Sequence, residues 1–247
     1  MPGKSVTRES LGGSGPIAGG PMNSGSALSR AETRRFRRHQ FWTDHGVFRE
    51  LFYANLHEVA PGLFRSAQPA PWQIRRWQEA HRFDAILNIR APAPSEPHFR
   101  LEQDACDALG IQHLPIHGFG SRDLPRREPL LRFLDQIPTL PPRLLVHCKS
   151  GADRAGFIAT LLLHQRYAVP LTEARAQLRL WPYGHIRHAN TGILDWFFER
   201  AVAELTQKPG MSLRSWVEME YDREEILASF RPWYRLDWLT DRILRRE

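Results

Sequence analysis

The spacing of hydrophobic positions changes repeatedly along this chain of 247 residues. From about Gly46, short aliphatic runs alternate with longer stretches in which apolar residues recur every three or four positions. The short runs are "GLFRSAQ" (62–68), "FDAILNIR" (83–90), "IQHLPIH" (111–117) and "RLLVHC" (143–148), and they read as strands. Between them, "PWQIRRWQEAH" opens on Pro71, "RLEQDACDALG" ends on Gly110 and "EPLLRFLDQIP" is stopped by Pro138. That is the punctuation of helices. Strands alternating with helices predict an α/β fold, a small, mainly parallel sheet flanked by helices. Arg90 and Cys148 each end a strand run, so both belong to the carboxyl rim where such sheets bind ligands.

Beyond Cys148 the pattern turns almost wholly helical. Ala155 to about Tyr167 is apolar nearly all round, as a buried central helix should be. "LTEARAQLRL" follows, with Thr172 as its expected cap. "GILDWFFERAVAEL" places Ile193, Leu194, Phe197, Phe198, Ala201, Val202 and Leu205 on one core-facing stripe. "QKPGMS" breaks the pattern, and residues 211–247 then give Trp- and Arg-rich helical segments, a C-terminal extension or partner surface. Residues 1–30 are rich in Gly, Ser and Pro without a period and read as a disordered tail, with Met22 an alternative start. The Arg-rich "RRFRRHQFW" behind it reads as a solvated leading segment. The expected division is thus a tail (1–30), a main domain (46–208) and a helical extension (209–247).

Composition narrows the function classes. A hydrophobic content of 42% and a charged content of 25% are ordinary for a soluble globular protein. The net charge of +7 favours anionic partners: phosphorylated substrates, acidic membrane surfaces or, as the lesser candidate, nucleic acid. Two cysteines, Cys106 and Cys148, exclude a disulfide scaffold, and no run of Cys and His has metal-ligand spacing. The N-terminal stretch lacks a signal-peptide pattern, and "FIATLLL" after Gly156 is too short to span a bilayer. A reducing cytoplasmic setting is expected, in which a lone reactive cysteine survives.

The chemistry concentrates in "VHCKSGADRAG". Cys148 ends a strand run, and five residues later Arg154 opens the buried helix. Residues 149–153 must therefore turn tightly, with Gly151 easing the turn. Such a turn aims the backbone N–H groups from Lys149 to Arg154, among them those of Ser150, Gly151 and Ala152, into one concavity at a helix N-terminus, a shape that fits phosphate. Arg154 closes the ring by gripping two phosphate oxygens side by side. The same positive field favours the thiolate of Cys148, the nucleophilic form. In-line displacement through a phosphocysteine, followed by attack of water, is the expected reaction.

"HCKSGADRAG" resembles the His-Cys-x5-Arg loop of cysteine-dependent tyrosine and dual-specificity phosphatases. Chance produces that spacing in on the order of one chain per few hundred of this length. "GLFRSAQP" followed by "AILNIRAP" is similar to the atypical dual-specificity enzymes of bacteria, plants and fungi, and the likeness covers residues 55–205. The resemblance implies a small α/β phosphatase fold, no metal or organic cofactor, and a phosphorylated protein or small phosphorylated molecule as substrate. It also implies that His147 orients the cysteine and supports the loop. Sulfurtransferase loops commonly place four residues between Cys and Arg, whereas this chain has five.

The chain departs from that family in two places. Ala155 stands where Ser or Thr usually follows the arginine and helps the sulfur leave, so slow phosphocysteine breakdown is expected, with Ser150 a substitute hydroxyl. The general acid has two candidates: Asp123 in "GFGSRDLP", otherwise a surface turn residue, and Asp153 in "GADR", otherwise a loop brace. Lys149 resembles the loop of phosphoinositide phosphatases, although their second loop lysine is Ala152 here. Arg90 reads as a structural ion pair or an anion contact, His185 and His188 as packing or capping groups, and Cys106 as a buried core residue rather than a disulfide partner of Cys148. Inositol phosphates, phosphoinositides and RNA 5′-phosphates are the alternative substrates, and a phosphate-binding module that has lost turnover is the alternative class.

Overall fold

The computed structural model describes residues 27–43, 46–90 and 93–232. Of the tail expected over 1–30, residues 1–26 lie outside this range, and Arg30 already opens a helix. Among the described residues the strands form one five-stranded sheet: β1 (His57–Ala60), β2 (Leu63–Ser66), β3 (Ala85–Asn88), β4 (Gln112–Pro115) and β5 (Leu144–His147), in the order β1-β2-β5-β3-β4. Only β1 runs antiparallel, because two residues, Pro61 and Gly62, join it to β2 in a hairpin. Gly62 turns that corner at φ +76°. The other pairs are parallel and are joined by helices, as parallel crossovers require.

The helices are α1 (Arg30–Thr43), α2 (Gly46–Leu51), α3 (Pro71–His81), α4 (Pro97–Leu109), α5 (Arg127–Gln136), α6 (Asp153–Tyr167), α7 (Leu171–Ala174), α8 (Ile193–Gln207), α9 (Leu213–Met219) and α10 (Arg223–Ser229). Alternate strand residues feed two hydrophobic layers. Leu63, Leu87, Leu144 and Val146 pack with α5, α6, α8 and α9, while Phe64, Ile86 and Leu145 pack with Ile74, Trp77 and Cys106 of α3 and α4. Cys148 belongs to the first layer and Cys106 to the second, so the sheet stands between the two thiols. Both are free, and burial pushes the Cys106 thiol well up.

β5 comes last of the strands yet lies in the middle, with Ser66 of β2 and Asn88 of β3 registered on either side of His147. Three strand ends therefore meet beside Cys148. From there α6 runs through the core: Asp153 to Leu163 is buried throughout, which explains its lack of a polar stripe. Phe157 packs against Phe197 and Phe198 with centroids 5.1 and 4.9 Å away. Phe197 in turn meets Trp216 and Tyr221 at 5.5 and 5.3 Å. Leu213, Trp216, Val217, Tyr221 and Ile226 thus share the core of the sheet.

Some local expectations give way to tertiary context. α4 starts earlier than expected, with Pro97 in its first turn, and α6 starts at Asp153. Pro170 precedes α7, so Thr172 lies within that helix instead of capping it. β3 stops at Asn88, leaving Arg90 past the strand end. Residues 178–189 form turns instead of continuing helix. β1, α1 and α2 carry no strong period and were not anticipated.

Phe157 joins sheet, α8 and the C-terminal helices in one packed unit. Phe157→Ala should destabilise the fold by about 3–5 kcal/mol. Urea unfolding would measure it, and a loss near zero would show that this cluster does not tie the parts together.

Candidate active site

The segment after β5 turns so sharply that only glycine fits at its centre. Gly151 sits at φ +73°, and a Cβ there would lie 2.5 Å from the Ser66 carbonyl carbon and 2.6 Å from the Ala67 nitrogen. The carbonyl oxygens of the turn are all taken from outside. Gln68 N donates to Lys149 O at 3.2 Å, and Asn55 Nδ2 donates to Ser150 O at 3.1 Å. Arg65 Nη2 donates to Gly151 O at 2.6 Å and to Ala152 O at 2.8 Å. In a planar trans peptide the N–H of the next residue points opposite each carbonyl. The N–H groups of Ser150, Gly151, Ala152 and Asp153 are thereby turned away from those four partners. Ala152 N also makes a long contact with Ser150 Oγ at 3.4 Å. The N-terminus of α6, a helix of 15 residues, adds its dipole at the same place.

Arg65 was not marked by the sequence, yet it is the largest fully buried side chain described. Its Nη1 donates to Gln177 O at 2.7 Å and Gln177 Oε1 at 3.0 Å, and its guanidinium lies 4.1 Å from the Tyr183 ring centroid. Burial pulls its pKa down to about 10, opposed by the charges of Tyr183, Cys148, Tyr53 and Asp153. At neutral pH it remains a cation behind the loop.

His147 stands on a second buried support. Its Nε2 lies 2.8 Å from Glu102 Oε1, which His113 Nε2 also approaches at 3.0 Å. Gln68 Nε2 and Asn88 Nδ2 donate to the other oxygen of Glu102. Burial works to raise the Glu102 carboxyl, but the charges and hydrogen bonds of His147 and His113 outweigh it and hold it far below the usual carboxylate range.

The two candidate acids have different surroundings. Asp153 is buried at the start of α6, and its Oδ1 lies 2.7 Å from His185 Nδ1. His185 Nε2 lies 2.6 Å from Asp195 Oδ2, so one buried imidazole is bracketed by two carboxylates. Burial works against its charge, yet the hydrogen bonds to Asp153 and Asp195 push its pKa up to about 9. Asp123 lies on the exposed connection between β4 and α5. Its Oδ1 accepts from Arg223 Nη2 at 2.5 Å and from Leu124 N at 2.9 Å. Arg223 Nε also donates to Leu124 O at 2.9 Å, and the Tyr221 hydroxyl donates to Pro125 O at 2.8 Å.

Arg154 is buried as the second residue of α6, and Ala155 beside it is fully enclosed. Lys149 and Ser150 are half-exposed at the turn. His188 stands apart from the loop, at a surface cavity of about 270 Å³ shared with Arg187 and Trp196. Among the described residues no group of His, Cys, Asp and Glu is arranged to hold a metal ion. Arg65, Glu102 and His185 are the supporting groups that sequence reasoning left without these roles, since nothing local distinguishes them.

No protein-family model and no curated protein sequence matches the chain. Among solved structures it is similar to human DUSP28 at 18% identity, covering 60% of this chain and 95% of that one, with a TM-score of 0.41. PTPMT1 is similar at 16% identity, 62% and 99% coverage and a TM-score of 0.45. The core catalytic domain of the PP-IP phosphatase SIW14 from S. cerevisiae is similar at 18% identity, 64% and 96% coverage and a TM-score of 0.45.

Two outcomes follow from the buried cations. Arg65→Met removes the donors to Gly151 O and Ala152 O, so stability should fall by about 3 kcal/mol or more, and vanadate binding should fall with it; unchanged vanadate affinity would separate Arg65 from the cradle. His185 is raised above its unfolded value, so its pairing stabilises fully below pH ~6.5 and is lost as pH climbs through about 9. The melting temperature of wild type should therefore drop more steeply between those limits than that of His185→Gln. Parallel curves would contradict the bracketed, charged imidazole.

Proposed function

We propose that this chain is a cysteine-dependent phosphatase of the tyrosine and dual-specificity type, which hydrolyses phosphate monoesters through a phosphocysteine at Cys148. The observation that carries the reading is the outward capture of four consecutive loop carbonyls, which turns the matching N–H groups the other way, directly after Cys148. Phosphoryl oxygens fit such a cradle of amides at a helix N-terminus. A tetrahedral phosphate seated there is held by these amides and by the Arg154 guanidinium.

In this reading the Cys148 sulfur attacks phosphorus, the bond to the leaving oxygen breaks, and that oxygen takes a proton from an acid on the opposite side. Water then attacks phosphorus, the sulfur leaves as thiolate, and inorganic phosphate departs. Asp123 is the acid and Asp153 the brace. Asp153 is enclosed and committed to a charged His185, whereas Asp123 sits on an exposed connection and is held through one oxygen by Arg223. His147 keeps the loop root fixed through Glu102. Ala155 offers no hydroxyl to the departing sulfur, so the second step is the slow one.

A rapid-mix assay with an aryl phosphate tests the reading. Wild type should give a burst and a phosphorylated adduct in intact mass, and Cys148→Ser should give neither; equal hydrolysis by both proteins would end the proposal. Ala155→Ser should raise steady turnover while leaving the burst size unchanged, and an unaltered steady rate would remove Ala155 as the cause. For the acid, Asp123→Asn should slow hydrolysis of alkyl esters by about 10²-fold, with a smaller effect on aryl esters. Asp153→Asn should chiefly lower the melting temperature, and the reverse pattern would exchange the two roles.

A further inference from the structure

Large apolar side chains exposed among the described residues are concentrated. Apart from Met219, all lie on α1 to α3 or on the turn after α7: Trp42, Phe48, Leu51, Phe52, Trp72, Leu180 and Trp181. Phe52 is 77% exposed and Trp181 85% exposed. Scattered apolar residues are ordinary on a surface, but a concentration of aromatics marks an interaction site.

Named contacts tie two of these segments, α2 and the turn bearing Trp181, to the loop after Cys148. The Phe48 ring stacks on Tyr53 at 5.6 Å, and the Tyr53 hydroxyl donates to Tyr183 O at 3.1 Å, two residues after Trp181. Asn55 Nδ2 donates both to Tyr183 O, at 3.0 Å, and to Ser150 O in the cradle, at 3.1 Å. One amide side chain thus links the turn bearing Trp181 to the phosphate loop.

Charge identifies the partner. α1 carries Arg30, Arg34, Arg35, Arg37 and Arg38 against one acid, Glu32. All of these arginines but Arg37, which pairs with Glu50, are exposed, and exposed Arg179 precedes Leu180. Protruding Trp and Phe beside arginines are the composition of an element that lies in a membrane interface, with aromatic rings at headgroup depth and guanidinium groups on anionic lipid.

We propose that this rim is an interfacial anchor for an anionic membrane surface, and that the cradle takes a phosphate monoester carried on a lipid headgroup. The substrate half rests on the phosphatase reading above; the anchoring half stands without it. With Trp181 and Phe52 seated among the lipids, the cradle is brought to headgroup level, and the monoester enters without leaving the bilayer.

The test uses the full chain with vesicles of phosphatidylcholine alone, or containing phosphatidylglycerol, and with phosphatidic acid as the lipid monoester. Wild type should co-sediment with the phosphatidylglycerol vesicles and weakly with phosphatidylcholine alone. Phe52→Ser combined with Trp181→Ala should weaken that binding about tenfold and lower phosphatidic acid hydrolysis to a similar degree, with hydrolysis of a soluble aryl phosphate and the melting temperature unchanged. Absence of wild-type vesicle binding, or equal binding by the double variant, would overturn the proposal. So would self-association of wild type that the double variant abolishes, because the rim would then be a protein contact. Rim-dependent vesicle binding without hydrolysis of either ester would retain the anchor and reject the phosphatase reading instead.

Discussion

A single buried guanidinium decides which way the loop after Cys148 faces. Arg65 holds the carbonyls of Gly151 and Ala152, and peptide planarity converts that grip into the direction of the N–H groups that follow. Burying an arginine without partners would cost several kcal/mol. Here Gln177 accepts from Nη1 and the Tyr183 ring lies 4.1 Å from the guanidinium, which keeps its proton at a pKa of about 10. Gly151 is the geometric counterpart, because the loop can approach β2 closely enough for Arg65 to reach only where no Cβ intervenes.

Buried negative charge is gathered in two clusters around this loop. Glu102 holds His147 from the α4 side, and Asp153 and Asp195 hold His185 beneath the start of α6. Glu102 faces the imidazoles of His147 and His113, and the charged His185 offsets part of the charge that Asp153 and Asp195 carry. Asp153, next in sequence to Arg154, is thus held by His185 at the start of α6.

The legible parts of the chain were those with a local signature. Hydrophobic period placed β2 to β5 and α3 to α6 within a few residues, and the spacing from Cys148 to Arg154 located the loop. The supports were illegible because their partners are remote: Arg65 reaches Gly151 across 86 positions, Glu102 reaches His147 across 45, and His185 reaches Asp153 across 32. A period reports which face a residue lies on, not what meets it there. Arg65 is the clearest case, since a charged residue in a strand run usually signals exposure, whereas a loop of bare carbonyls made this one interior. The C-terminal helices read as an appendage for the same reason, although Trp216 and Tyr221 enter the main core.

Those helices also bear on the acid. The connection carrying Asp123 is fastened to the extension at two points of unequal strength. At its root, the buried Tyr221 hydroxyl holds Pro125 O, backed by an aromatic cluster and by Arg127 donating to Tyr221 O at 2.6 Å. At its tip, Arg223 meets an Asp123 side chain that is 55% exposed, and exposed ion pairs are worth about 0–1 kcal/mol. Root and tip are therefore separable. In the proposed mechanism Asp123 would leave Arg223 and turn toward a bound ester at a cost far below that of undocking the extension, because the packed C-terminal helices hold the root of its connection and not its carboxylate.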